Sequence, residues 1–215
     1  MSVGHIVIAR PDRAGDACRR LGVMGISPLV FPAITLEQIS PQIATTPYAT
    51  FSGSTRERTA KEHGIAISHL CALGRARAEG WEWSGFWEDD ADGEAGIGWR
   101  DLALPVDCGV LYLGGALWWP KEAYGQNLGG GLWRVDNPMP ISGAHAFMVH
   151  RRAIEDVLKA YCEMSMTLDD LLSCVCIDAQ RRGRWSTCFV SPWLAWQQDR
   201  TETQNAPVAP LTEGQ

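Results

Sequence analysis

The sequence predicts an α/β fold with a mostly parallel central sheet flanked by helices. Three observations predict it. The first 32 residues read β-α-β, short apolar runs then alternate with helical patterns, and an aromatic strand over Trp81–Trp87 runs directly into a cluster of acids.

The elements follow in order. His5-Ile6-Val7-Ile8 is an apolar run that reads as a first strand. A helix is expected over Ala14 to Leu21, stopped at Gly22. Pro28 to Pro32 reads as a second strand. Thr35 to Gly53, rich in Pro, Thr and Ser, reads as a loop. Thr55 to Glu79 reads as a long helix with a break at Gly64; Ile65, Ser68, Leu70, Ala72, Leu73 and Ala76 form its inward face. After Trp81–Trp87 come strands at Val110–Leu113 and Ala144–Val149, helices over Arg151–Tyr161 and Leu168–Arg182, and a late strand over Trp185–Val190. The stretch from Trp118 to Pro140, with Gly129-Gly130-Gly131 and several prolines, reads as a long loop of the kind that closes over a site.

At 215 residues the chain suits one domain with a well-buried core, expected over residues 1–198, with a polar tail over 199–215 expected to be disordered. Hydrophobic residues make up 46% and charged residues 20%, and the net charge is −6, so steering toward a polyanion is not the default. No apolar run is long enough to span a bilayer, and the start lacks a basic segment followed by an apolar one. The expected location is cytoplasmic, with room for peripheral attachment to a membrane. The seven cysteines are odd in number and form no CxxC pair, which fits reduced, packed thiols rather than a zinc site. No P-loop or GxGxxG fingerprint is present, which argues against kinase and dinucleotide chemistry.

The acids Glu88-Asp89-Asp90, followed by Asp92, carry the chemistry. In open α/β sheets ligands bind beyond the carboxyl ends of the strands, and these acids follow a strand directly. If the chain stays extended, Glu88, Asp90 and Asp92 share a side. Clustered carboxylates there suit a hard divalent cation, Mn²⁺ or Mg²⁺, which stabilises a departing diphosphate. The ordinary alternative is a solvated acidic turn.

Seven segments recur in a familiar order: Val7 to Arg13 with its Arg10-Pro11-Asp12-Arg13 element, Phe31-Pro32-Ala33-Ile34, Gly64 to His69, Phe86-Trp87-Glu88-Asp89-Asp90, Gly143 to Val149, Leu168 to Leu172, and Ser191-Pro192 with Gln197. Together they resemble glycosyltransferase family 25, the lipooligosaccharide (lipopolysaccharide) biosynthesis and collagen-galactosyltransferase group. The sequence departs from that pattern at Trp87, where the family prefers an aliphatic residue, and between Gly114 and Pro140, which aligns poorly.

The resemblance implies a GT-A, Rossmann-like fold, a UDP-galactose or UDP-glucose donor, a divalent metal, and inverting transfer of a hexose to a hydroxyl acceptor. That acceptor would be a glycan or a lipid-linked saccharide. Alternatives are a phage-type enzyme acting on hydroxymethylated DNA bases, and an inactive nucleotide- or glycan-binding module. By the resemblance, Ala9, Arg10, Arg13, Ser68, His69, Glu88 and Asp89 would contact the donor. Asp90, Glu88, Asp92 and His145 would ligate the metal, and Asp169 or Asp170 would be the base. Each has a plainer reading. Asp169 and Asp170 suit a helix start capped by Thr167, Ser68 and His69 suit a packed helix, His145 suits the core, and Arg10 and Arg13 suit the surface. Trp118 and Trp119 are candidates to stack on an acceptor.

Overall fold

A computed structural model describes residues 2–35, 38, 47–49, 55–57, 60–93, 102–143, 145–163 and 167–197. The expected tail over 199–215 lies outside the described residues.

The chain opens with β1 (Val3–Ala9), α1 (Ala14–Val23) and β2 (Leu29–Pro32). A short hairpin follows, β3 (Pro47–Ala49) with β4 (Thr55–Glu57), and then α2 (Ala60–Glu79) and β5 (Trp83–Glu88). Next come β6 (Ala91–Gly93), β7 (Cys108–Tyr112), β8 (Ala116–Leu117), α3 (Lys121–Tyr124), β9 (Gly125–Gly129) and β10 (Leu132–Val135). The last elements are β11 (Ile141–Ser142), β12 (Ala146–His150), α4 (Arg151–Glu163), α5 (Leu168–Arg181), β13 (Ser186–Val190) and β14 (Ala195–Gln197).

Eight strands form one sheet in the order β2-β1-β5-β12-β7-β13-β10-β9. β1 pairs in parallel with β2 and β5, and β7 with β13; β12 runs against β5 and β7, and β10 against β13 and β9. Six strands therefore point one way, and only β12 and β10 point back. The fold is α/β, as the β-α-β opening and the helix–strand alternation predict.

Alternation along the strands divides the core between two faces. Ile6, Ile8, Phe86, Val110, Tyr112, Phe147 and Val149 pack beneath α2, α4 and α5. Val7, Ala9, Trp87, Leu111, Met148 and Cys188 face the other way, in a cluster that Ala17 and Leu21 of α1 join. Strands buried on both faces carry near-continuous apolar runs, which is why β1, β5, β7, β12 and β13 are legible as strands. Helix α1 runs past Gly22 and closes after Met24, where Gly25 takes φ +74° and Ile26 N–H reaches the Leu21 carbonyl at 2.9 Å.

Three sequence expectations are corrected. First, the 55–79 stretch is not one helix. β4 occupies its start, and α2 runs unbroken through Gly64, because packing against the sheet outweighs the roughly 1 kcal/mol propensity cost of one glycine. Part of the expected Thr35–Gly53 loop is likewise strand β3. Second, Trp118–Pro140 is not a loop. It holds α3 and the β9–β10 hairpin, which extends the main sheet; Gly129, Gly130 and Gly131, all at positive φ, make its turn. Third, the chain does not stay extended through the acids. Asp89 and Asp90 form a turn, after which β6 pairs with β14 rather than continuing β5.

Candidate active site

The strand directions decide which side chains can meet. β1, β5 and β7 end at the same edge of the sheet, and the reversed β12 begins there. Arg10, Glu88 to Asp90, Gly114 and His145 therefore share that edge. Helix α4 returns from the far end of β12, which brings the start of α5, with Asp169, to the same edge. The chain after β13 crosses over it, and β14 seats Gln197 beside Glu88.

The three consecutive acids are treated differently. Asp89 is consumed by α1 and the turn before it. Its Oδ2 accepts the Arg10 amide at 3.1 Å, and Arg13 Nη1 lies 3.7 Å from its Oδ1. Arg20, nearly buried on α1, donates to the Asp89 carbonyl and, at 3.3 Å, to that of Ala91, which clamps the acidic turn from below. Glu88 lies 3.4 Å from His69 Nε2 of α2 and accepts from Gln197 Nε2 at 3.4 Å. Burial pushes the Glu88 carboxyl up, but the bond and charge of His69, the charge of His145 and the Gln197 amide outweigh it and hold the group below the usual range.

Asp90 behaves oppositely. Its Oδ1 is buried and has no hydrogen-bond partner. Burial first, and then the charges of Glu88 and Asp89, push its carboxyl up to about 6. A buried carboxylate oxygen without a donor is costly, and such groups cluster where a ligand completes them.

Asp92 follows the turn that breaks the alternation. Its Oδ1 accepts the Gly93 amide at 2.8 Å, and its charge bears on Arg19 of α1. His145 sits against Gly114, where a Cβ would collide with the imidazole and with the Ala195 carbonyl; glycine is what lets the ring approach Glu88. Ser68 is occupied structurally. It donates to the Gly64 carbonyl at 2.6 Å and accepts the Ile34 amide at 2.8 Å, joining α2 to the chain after β2. Ala9, the last residue of β1, is buried, and its carbonyl accepts the Ala33 amide at 2.9 Å.

At the start of α5 the two acids also part. Thr167 Oγ1 caps the helix by accepting the Asp170 amide at 3.3 Å. The Asp169 carboxylate turns to the β11–β12 connection, where its Oδ2 accepts the Gly143 amide at 3.0 Å. Tyr161 of α4 is near enough to Asp169 and Glu88 to feel both charges. Its buried hydroxyl has no hydrogen-bond partner, and burial, with the charges of Asp169, Cys176 and Glu88, raises it well above its usual range.

Sequence reasoning misses Arg20 and Tyr161. Arg20 leaves one trace, Asp16 four residues earlier on the same helical face, which lies 3.3 Å from its Nη1. Two recesses of about 450 Å³ each lie at the far end of β5, one against Trp83 and His150 and the other against Trp81 and Arg77.

No protein-family model and no curated protein matches the chain. Solved structures share its course at low identity. A197 from STIV is 10% identical over 92% of this chain and 85% of its own, with a TM-score of 0.46. A glycosyltransferase involved in the glycosylation of the major capsid of PBCV-1 is 12% identical over 75% and 66%, at 0.39. Mannose-1-phosphate geranyltransferase from Thermus thermophilus is 14% identical over 88% and 74%, at 0.43. All three scores lie below 0.5, too low to transfer a residue role. Among the described residues no helix is long and apolar enough to cross a membrane, and no three His, Cys, Asp or Glu side chains converge as a metal cage.

Proposed function

We propose that the chain is a GT-A-type, metal-assisted inverting glycosyltransferase that moves a hexose from a nucleoside diphosphate sugar, a UDP-sugar by its resemblance to family 25, to a hydroxyl acceptor. The observation that carries this reading is the buried, unpartnered Asp90 oxygen beyond the end of the central strand β5. Ligand crevices of open α/β sheets lie at that end.

A divalent cation fits this oxygen. Mg²⁺ and Mn²⁺ are commonly held by one or two carboxylates together with substrate phosphates, so a cage made only of protein is not required. Asp90 would be the direct ligand, with Glu88 adding charge behind it. When bound, the cation offsets the negative charge of a leaving diphosphate. Arg10 and Arg13, both half-exposed and tethered by Asp89, offer guanidinium groups to the same phosphates. The acceptor hydroxyl must lose its proton as it attacks. Asp169 is the better base of the two because its carboxylate is held against the connection into β12, at the edge that carries the acids.

The test is thermal denaturation with Mn²⁺, UDP and both. The pair together is expected to raise the melting temperature more than either alone; saturation to 100 times Kd corresponds to about 2.7 kcal/mol. Because Asp90 titrates near 6 and must be ionised to bind, the joint shift should grow as pH rises through that value. Absence of a shift with every nucleoside diphosphate, at about pH 7.5 and with either metal, overturns the reading.

A further inference from the structure

We infer that Trp118 and Trp119 form the acceptor platform of this site and that its ligand is a pyranose ring rather than a peptide, a nucleobase or a lipid surface. This rests on the glycosyltransferase reading for its place in catalysis, but the binding itself is measurable without turnover.

The two adjacent indoles are 51% and 48% exposed, and they are not loosely held. The buried Tyr124 hydroxyl accepts the Trp118 amide at 2.9 Å, is bonded to the Trp119 amide as well, and donates to the Pro140 carbonyl at 2.9 Å. The Trp118 ring is fixed in turn, since its Nε1–H donates to Ser142 Oγ at 2.7 Å. With its polar edge satisfied internally, the ring has only its faces to offer.

Position supplies the second argument. Ser142, which holds the Trp118 ring, precedes Gly143, whose amide is bonded by Asp169. The indole and the candidate base are thus anchored on two consecutive residues of one connection. The apolar C–H face of a pyranose carries slight positive charge and meets the negative face of an aromatic ring.

Composition supplies the third. Among the described residues the other exposed large hydrophobics are aliphatic: Val23, Leu29, Val30, Val106 and Leu128. Among the described residues the exposed large aromatics are Trp118 and Trp119. The acids Asp169 and Asp170 on the neighbouring helix start repel an anionic bilayer and a nucleic acid alike.

The experiment is glycan-array binding and saccharide titration by intrinsic fluorescence, using the full chain with UDP and Mn²⁺ at about 1 mM, on the order of cellular substrate levels. Wild type should bind a subset of pyranosides. Trp118→Ala and Trp119→Ala should each weaken that binding about tenfold, about 1.4 kcal/mol, while leaving the UDP-dependent melting shift in place. Trp119→Ala keeps the Trp118–Ser142 bond and remains informative if the Trp118 variant fails to fold. Pyranoside binding that is indifferent to both tryptophans, or no pyranoside binding by wild type, overturns the inference; so does Trp-dependent binding to phosphatidylserine vesicles or single-stranded DNA in its place. Trp-dependent glycan binding without any UDP effect would sustain the platform and reject the transferase.

Discussion

The tip of β5 and the start of α5 both present adjacent acids at the same edge of the sheet, and the fold uses them in contrasting ways. At the β5 tip the acids crowd one another in a partly buried turn. Asp89 is tied to arginines and Glu88 to His69, and Asp90 is left with a buried oxygen that nothing satisfies. At the α5 start the acids sit where a helix welcomes negative charge, with Asp170 in the capped first turn and Asp169 bridging to Gly143. The difference teaches that an acidic run is not a unit. Neighbouring carboxylates are sorted by the donors that the surrounding elements bring to each, and a functional candidate is the one whose bonding remains incomplete.

The strongest way to break this contrast is Asp90→Ala. Transfer from a UDP-sugar should fall about 10³-fold, the size of effect seen when a charge-stabilising group is removed, and the joint Mn²⁺–UDP melting shift should disappear. Full activity in a folded variant would mean that the unpartnered oxygen has no part in the reaction. The contrast at α5 is sharpened by comparing Asp169→Asn with Asp170→Asn. The former should lose about 10²-fold in turnover with donor affinity kept, as expected for a missing base. The latter should change turnover by less than about threefold and cost under about 1 kcal/mol of stability. Equal turnover in the two variants would remove Asp169 from the base role.

Much of the fold is legible because apolar runs buried on both faces announce strands and Gly80 follows the end of α2, whereas α1 runs past the expected Gly22 and ends just before Gly25. The β9–β10 hairpin is hidden because three consecutive glycines signal a turn and a mobile loop equally well, and only the pairing of Leu132–Arg134 with β13 distinguishes them. The site is legible as a region but not as roles. Sequence marks Glu88-Asp89-Asp90 as a cluster, yet which carboxylate keeps a free oxygen depends on Arg10, Arg13, His69 and Gln197, drawn from three other parts of the chain. Asp92 would share a side with Glu88 and Asp90 under strict alternation, and a two-residue turn interposes instead, with the Asp92 charge bearing on Arg19. Tyr161 lies in an ordinary amphipathic helix, so nothing local distinguishes it from a core aromatic.

A subtler effect separates Glu88 from Asp90 by stability alone. The Glu88 carboxyl is held below its usual range, so its folded-state advantage is present above the unfolded value of 4.5 and is lost as pH falls through the lowered one. Glu88→Gln should therefore cost about 1–2 kcal/mol at pH 7, a charged hydrogen bond's worth, and progressively less on acidification. For Asp90 the sign reverses. Its carboxyl rises from 3.8 to about 6, so the folded chain binds more protons than the unfolded one between those values, and stability falls as pH climbs through them. A shift of that size corresponds to about 3 kcal/mol at full weight, and solvent screening of a partly exposed group reduces it to about 1 kcal/mol. Asp90→Asn should consequently melt higher than wild type above about pH 6.5 and alike at about pH 4. Chemical denaturation across that range reads both slopes in one experiment. Two variants two residues apart that moved stability in the same direction would show that Glu88 and Asp90 share one environment, and the division of labour at the strand tip would be lost.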